Sequence, residues 1–333
     1  MKLIDMHCDT ISELYKQSDT SFVHNHLCVD IEKLRKADSQ AQFLACFVNI
    51  GKFGTETDRW DLAYEEVLAL IRRIRQEERE DFCCIFQEKE LEENKKKRCI
   101  SGIITVEEGG VLNGRTERID TLYEKGVRLL TLTWNYENCI GYPNSRDKKV
   151  MEKGLKQFGH LVIERMNQIG MIIDVSHISD GGFWDCIQSS CVPVAASHSN
   201  ARALCPHPRN LSDRMLKAIG EKGGVAGLNF YSAFLSEKKK AGISDIAAHA
   251  RHMLRCAGED AVAFGTDFDG FETQALPEEI AGIQDMERIW EALKCAGFTE
   301  RQLDKIWHKN VQRILRDVWK SKGECDRIEK IKF

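Results

Sequence analysis

The stretch MIIDVSH, Met171–His177, runs through apolar side chains into an acid, a serine and an imidazole. A short apolar run with a polar end is the pattern of a strand buried on both faces. Working outward, the same form recurs at Leu3–His7, Phe43–Asn49, Gly102–Val106, Arg128–Thr133, Pro193–Ser197, Val225–Asn229 and Val262–Thr266. Helical patterns follow most of these runs, at Asp61–Arg79, Leu155–Ile169, Leu211–Glu221, Ser244–Cys256 and Met286–Cys295, and Glu300–Lys320 closes the chain. Strands buried on both faces and joined by helices predict a parallel sheet. Eight such units predict an α/β fold closed as a (β/α)8 TIM-type barrel. An open doubly wound sheet is the alternative, but no GxGxxG follows a strand, which argues against dinucleotide binding.

With 333 residues and 42% apolar content, the chain can bury a large core. No repeat or linker divides it, so residues 1–333 are expected to form a single catalytic barrel domain with a C-terminal helical extension at about 300–320. The net charge of −4 leaves no nucleic-acid footprint. The basic run Lys95–Arg98 reads as a solvated helix face. No apolar run approaches the roughly 20 residues of a membrane span. Lys2 is followed by only two apolar residues before Asp5, so no signal peptide is expected and the cytoplasm is the expected location. Thirteen cysteines lie scattered, with Cys46, Cys186 and Cys256 in apolar surroundings. They read as buried free thiols, and the absence of a CxxC pair makes a thiolate zinc site unexpected.

In a barrel the C-terminal ends of the strands converge on one face. There this chain places His7 and Asp9, Glu107 and Glu108, Asp174 and His177, His198, and Asp267 and Asp269. Residues i and i+2 of a strand share a side, so His7 and Asp9 can face one ion together. One histidine at a strand end is more often a satisfied capping imidazole than a ligand. The whole set is different, because carboxylates gathered at one mouth repel each other unless a cation joins them. Histidines with acids suit zinc, with manganese or another divalent ion as alternatives.

The ordered segments IDMHCDT, VEEGG, RLLTLTWN, GMIIDVSH, AASHSNARALCPHPRNLSD and FGTDFDG, with HKNVQRIL near the end, resemble the membrane (renal) dipeptidase family of zinc peptidases. These lie among the amidohydrolase-like barrels, and the likeness runs from Leu3 to about Leu315. The resemblance implies a metal-dependent hydrolase, a metallo-dipeptidase with two Zn2+ ions and attack by a metal-bridging hydroxide. It implies His7 and Asp9 on one ion, His177 and His198 on the other, and Glu108, the glutamate directly before Gly-Gly, bridging both. It further implies Asp267 as catalytic acid–base and Arg209 as the clamp on the substrate's terminal carboxylate. Trp134 and Asn135 are expected at the substrate, with Trp134 standing where the best-known animal enzymes carry a histidine. Asp269 is expected to cap a turn instead. The alternative is a related amidohydrolase acting on N-acyl amino acids or cyclic amides. The expected partner is a small dipeptide, without nucleic acid or membrane, and pairing into a homodimer stays open.

Overall fold

The computed structural model describes residues 2–17, 20–54, 58–238 and 240–320. Its strands are β1 (Leu3–Asp5), β2 (Ser39–Phe47), β3 (Phe82–Cys84), β4 (Ile100–Glu107), β5 (Val127–Thr131), β6 (Ile172–Asp174), β7 (Ala195–Ala196), β8 (Val225–Leu228) and β9 (Val262–Phe264). Every pairing between them is parallel. The ring runs β1-β2-β4-β5-β6-β7-β8-β9 and returns to β1, which is the closed eight-stranded barrel expected from the alternation. The extra strand, β3, lies outside that ring. It pairs with the start of β4, Phe82 opposite Ile100 and Cys84 opposite Gly102, until β5 takes over at Ile104. β3 is only three residues long, and the helix that follows it, Glu88–Lys97, buries only Leu91, so neither an apolar run nor an apolar stripe marks this unit in the sequence.

Alternation along the strands sorts two apolar layers. Ile4, Met6, Ala41, Phe43, Ile103, Leu129, Ile172, Ala195, Val225 and Ala263 fill the barrel interior. Their neighbours, such as Leu44, Ile104, Val106, Leu130 and Ile173, face the surrounding helices. The helices present matching stripes, for instance Val67, Leu70, Ile71 and Ile74 on Arg59–Gln76. Each fully buried aliphatic side chain is worth about 1.5–3 kcal/mol in transfer free energy.

The C-terminal helix, Asn310–Lys320, seals the floor. Val311, Ile314, Leu315 and Val318 join the interior cluster. Its polar residues grip backbone just before the strands begin: Arg313 donates to Gly224 O at 3.2 Å and Asp260 O at 2.9 Å, and Asn310 to Glu259 O at 2.9 Å. With the N-terminal ends closed, the opposite rim is the open one. No helix among the described residues is long and apolar enough to cross a membrane.

Cys46 and Cys186 are buried free thiols, as expected, while Cys256 is only half-buried. Cys191, by contrast, is disulfide-bonded.

The long connection after β7 is anchored by His249, which is 1% exposed. Its Nδ1 accepts from Ala201 N at 3.1 Å, and its Nε2–H faces Leu235 O at 2.9 Å. That pairing fixes a neutral ring, and burial pushes its pKa below the usual histidine value. The unfolded chain protonates near pH 6.5 and the folded ring resists. The stabilisation is therefore complete above that pH and fades as pH falls. Denaturant titrations should show His249→Gln losing about 1–3 kcal/mol at pH 7.5, with a weaker decline than wild type on acidification.

Candidate active site

The first candidate ligands follow from how β1 ends. The Asp5 carboxylate accepts from Gln42 Nε2, Thr266 N and Thr266 Oγ1, each at 2.8 Å, stitching β1 between β2 and β9. Beyond it Cys8 makes an isolated parallel bridge to Phe268 and buries its thiol in the outer layer. The flanking residues then share the other side: His7 Nε2 lies 3.3 Å from Asp9 Oδ2. Asp9 also begins the helix Thr10–Tyr15.

Glu107 sits at the centre of the rim. Its Oε2 is 3.2 Å from His7 Nε2, while its Oε1 is 3.1 Å from His177 Nε2 and 3.5 Å from His198 Nε2. The two histidine nitrogens stand 3.0 Å apart, and the His7 and His198 rings stack at 3.8 Å. Two ligand sets thus meet at one carboxylate: His7, Asp9 and Glu107, and Glu107, His177 and His198.

The glutamate preceding Gly-Gly is not the one in this position. Glu107 is the last ladder residue of β4, opposite Phe47 and Thr131, and shares the inward phase of Ile103. At Glu108 the backbone breaks to φ 109° and enters a short 3-10 turn, Gly109–Leu112. The Glu108 carboxylate turns back to accept from Gly110 N at 2.9 Å and Asn138 Nδ2 at 2.6 Å. It secures the loops behind the site, and burial pushes its pKa up to about 7.

His198 is aimed by a relay that sequence reading missed. Asp174 accepts from Thr131 Oγ1 at 2.6 Å, Ser197 N at 2.8 Å and Ser197 Oγ at 2.6 Å. Ser197 Oγ also lies 2.6 Å from His198 Nδ1. The serine proton goes to the carboxylate, so Nδ1–H donates to the serine and the Nε2 lone pair faces Glu107 and His177. A carboxylate behind a ring is the usual support of a histidine ligand. Glycines at 227 and 265 let Ser197 approach, because a Cβ at either would collide with its carbonyl.

Asp267 completes the cluster, its Oδ1 3.8 Å from His7 Nε2 and its Oδ2 accepting from Asn229 Nδ2 at 2.8 Å. It adopts φ 62°, and His177 φ 65°. Such positive values in non-glycine residues are held only where surroundings enforce them. Asp269 is turned away, accepting from Thr10 Oγ1 at 2.6 Å and Cys28 N at 2.8 Å. Arg209 is buried, with Nη1 donating to Ser199 Oγ at 2.6 Å and Nη2 to His198 O at 2.8 Å. The Trp134 ring packs edge-on against Phe47 at 4.8 Å and lies 6.4 Å from the His177 ring. Asn135 is exposed, and the buried asparagine of that loop is Asn138. A cavity of about 620 Å3, lined in part by Arg146, His207, Tyr231 and Glu272, lies beside the Arg209 loop.

The electrostatics fit a multivalent cation. Burial works against charge on Glu107, yet His7 and the other two imidazoles outweigh it and hold the carboxyl well below its usual range. His7 is likewise pushed well above the usual histidine value: burial opposes the charge, and Glu107 and Asp9 prevail. Burial lifts Asp9 to about 6 and Asp267 to about 7, His7 opposing both and neighbouring carboxylates adding to the rise. His7 Nδ1 and Nε2, Asp9 Oδ1, Glu107 Oε1 and His177 Nδ1 are buried without hydrogen-bond partners. Buried polar atoms left unpartnered on residues from three strand ends, those of β1, β4 and β6, are the mark of a metal centre.

A closed parallel barrel bearing this constellation at its open rim is a metal-dependent hydrolase of the amidohydrolase-like class. The family model of membrane dipeptidase, peptidase family M19, matches residues 1–327. A Klebsiella pneumoniae protein encoded in the pqqA 5′ region is 34% identical over 69% of this chain and 86% of its own length. An uncharacterized dipeptidase of Schizosaccharomyces pombe is 33% identical over 60% of this chain, which spans only 47% of that protein. Among solved structures, the dipeptidase AC, a metallo peptidase of family M19, aligns with TM-score 0.88 and 25% identity, covering 96% of this chain and 99% of that one. A Rhodobacter sphaeroides metallo peptidase liganded with a phosphinate mimic of L-Ala-D-Ala aligns with TM-score 0.87, 24% identity and the same coverage. The chain belongs to the membrane dipeptidase family and is a peptide-bond hydrolase.

Proposed function

We propose that this rim hydrolyses dipeptides with two divalent ions bound, one held by His7 and Asp9 and the other by His177 and His198, with Glu107 shared. The observation that carries the reading is the Glu107 carboxylate, whose two oxygens face the two ligand sets. Imidazole and carboxylate donors suit zinc. When bound, such ions supply Lewis acidity toward the scissile carbonyl and bring the ionisation of water down to about pH 7.

The chain's own residues do the rest. Arg209 takes the substrate's C-terminal carboxylate with the N–H groups it does not spend on Ser199 and His198. Asp267, within reach of the same space, accepts the proton of the attacking water and returns it to the leaving amine. Asn229 holds that carboxylate in place. Trp134 walls the pocket with one N–H donor and no titratable group.

The test is a dipeptide panel on metal-quantified protein. Chelation should lower the rate by more than about 100-fold, with recovery on adding zinc. An unchanged rate in metal-free protein would refute the reading. Arg209→Lys should cut kcat/KM for a dipeptide about 10- to 100-fold, chiefly through KM, because an ammonium cannot reproduce the guanidinium fork. The same substitution should cost the corresponding dipeptide amide much less, and equal losses would remove Arg209 from the clamp.

A further inference from the structure

Away from the rim, three donors of different chemistry meet on the outer surface. His252 and Cys256 stand one turn apart on the helix Ile243–Ala257 and so share a face. Asp213 is the first residue of the facing helix, Asp213–Glu221, fixed there by the Ser212 cap. His252 Nε2 lies 2.7 Å from Asp213 Oδ1 and 3.5 Å from Cys256 Sγ. One ligand atom from each lies within 4.8 Å of the other two.

We propose that Asp213, His252 and Cys256 form a second metal site, separate from the catalytic centre, that binds a borderline divalent ion of the zinc and cobalt type. Around a tetrahedral zinc the bond lengths put nitrogen and sulfur about 3.5 Å apart and nitrogen and carboxylate oxygen about 3.4 Å apart. The sulfur already stands at that separation, and the exposed Asp213 side chain needs a shift of about 0.7 Å to reach it. A thiolate, an imidazole and a carboxylate discriminate against magnesium and calcium, which take oxygen ligands. Binding displaces the Cys256 proton to solvent, and the fourth position is left to water. Cys256 is half-buried with its sulfur toward an acid and an imidazole, unlike the inert core thiol its apolar sequence neighbours suggest. The ion would join the two helices four residues beyond Arg209, tying down the connection that carries it.

The catalytic cluster has no thiolate, which gives this site a signature of its own. Cobalt(II) is titrated near neutral pH into enzyme whose catalytic centre is already loaded with zinc, and the near-ultraviolet thiolate-to-cobalt absorption is followed. Wild type should develop about one equivalent of that band. Cys256→Ser should abolish it, and His252→Ala should weaken cobalt affinity by at least about tenfold. Cys295→Ser, at an exposed cysteine elsewhere, should leave it intact. Absence of the band in wild type, or its survival in Cys256→Ser, overturns the proposal whatever the enzyme's activity.

Discussion

Glu107→Gln is expected to abolish dipeptide hydrolysis, while Glu108→Gln leaves it within about tenfold of wild type. The two positions are adjacent and chemically identical, so the contrast isolates placement. Glu107 holds two oxygens between three imidazole nitrogens at 3.1–3.5 Å. An amide there removes the negative charge and puts an N–H donor against one histidine set. Both proposed ions would lose a shared ligand, and a drop of about 1000-fold or more in kcat/KM would follow from losing several kcal/mol of transition-state stabilisation. Glu108 is a different case. One oxygen accepts from Gly110 N and Asn138 Nδ2, and the other, Oε2, is buried without a partner. A glutamine can keep the first and replace an orphaned acceptor, so loop and barrel stay intact. Metal content after dialysis, read beside kcat/KM, settles the matter: a Glu108→Gln protein that loses its ions while Glu107→Gln keeps them would reverse the assignment.

Why this pair was misjudged from sequence is a question of phase. The eight ring strands were legible because each is a short apolar run buried on both faces, and that same double burial hides which face is which. In GIITVEE, Ile103 points into the barrel and Ile104 toward the helices, yet both are isoleucine, so the pattern cannot say whether Glu107 or Glu108 turns inward. The β4–β5 ladder and the break at φ 109° decide it. His7 and Asp9 were easier, because the residue between them, Cys8, is apolar and sets the phase itself. The supporting polar residues were not legible for another reason. Ser197, Asn138 and Asn229 are common polar residue types with no chemistry-bearing spacing, and their roles exist only through Asp174, Glu108 and Asp267, which lie 23, 30 and 38 positions away along the chain. β7 shows the same effect at backbone level. Its ladder is only two residues long because the Ser197 N–H goes to the Asp174 carboxylate.

Asp267→Asn should lower kcat by about 100- to 10,000-fold, the range over which general acid–base catalysis acts, with little change in metal content or KM. The substitution keeps the shape of the side chain and an oxygen able to accept from Asn229 Nδ2, which now lies at 2.8 Å. What disappears is the group proposed to take a proton and give it back. The site is built around a carboxylate at this position. A Cβ on residue 270 would collide with the side chains of both Asp9 and Asp267, so Gly270 leaves the two acids room to face the same space. The Asp267 N–H donates to His7 O at 3.2 Å, tying the acid's backbone to that of a proposed metal ligand. Asn229→Ala separates orientation from chemistry. It leaves the carboxylate but frees it to rotate, so kcat should fall about tenfold, well short of the loss in Asp267→Asn. Two outcomes would remove Asp267 from the proton path: an Asp267→Asn enzyme with near-normal kcat, or one whose lost activity is fully explained by lost metal. In the second case the carboxylate would instead be a ligand of the His7 ion, which its 3.8 Å distance from His7 Nε2 makes the natural rival role.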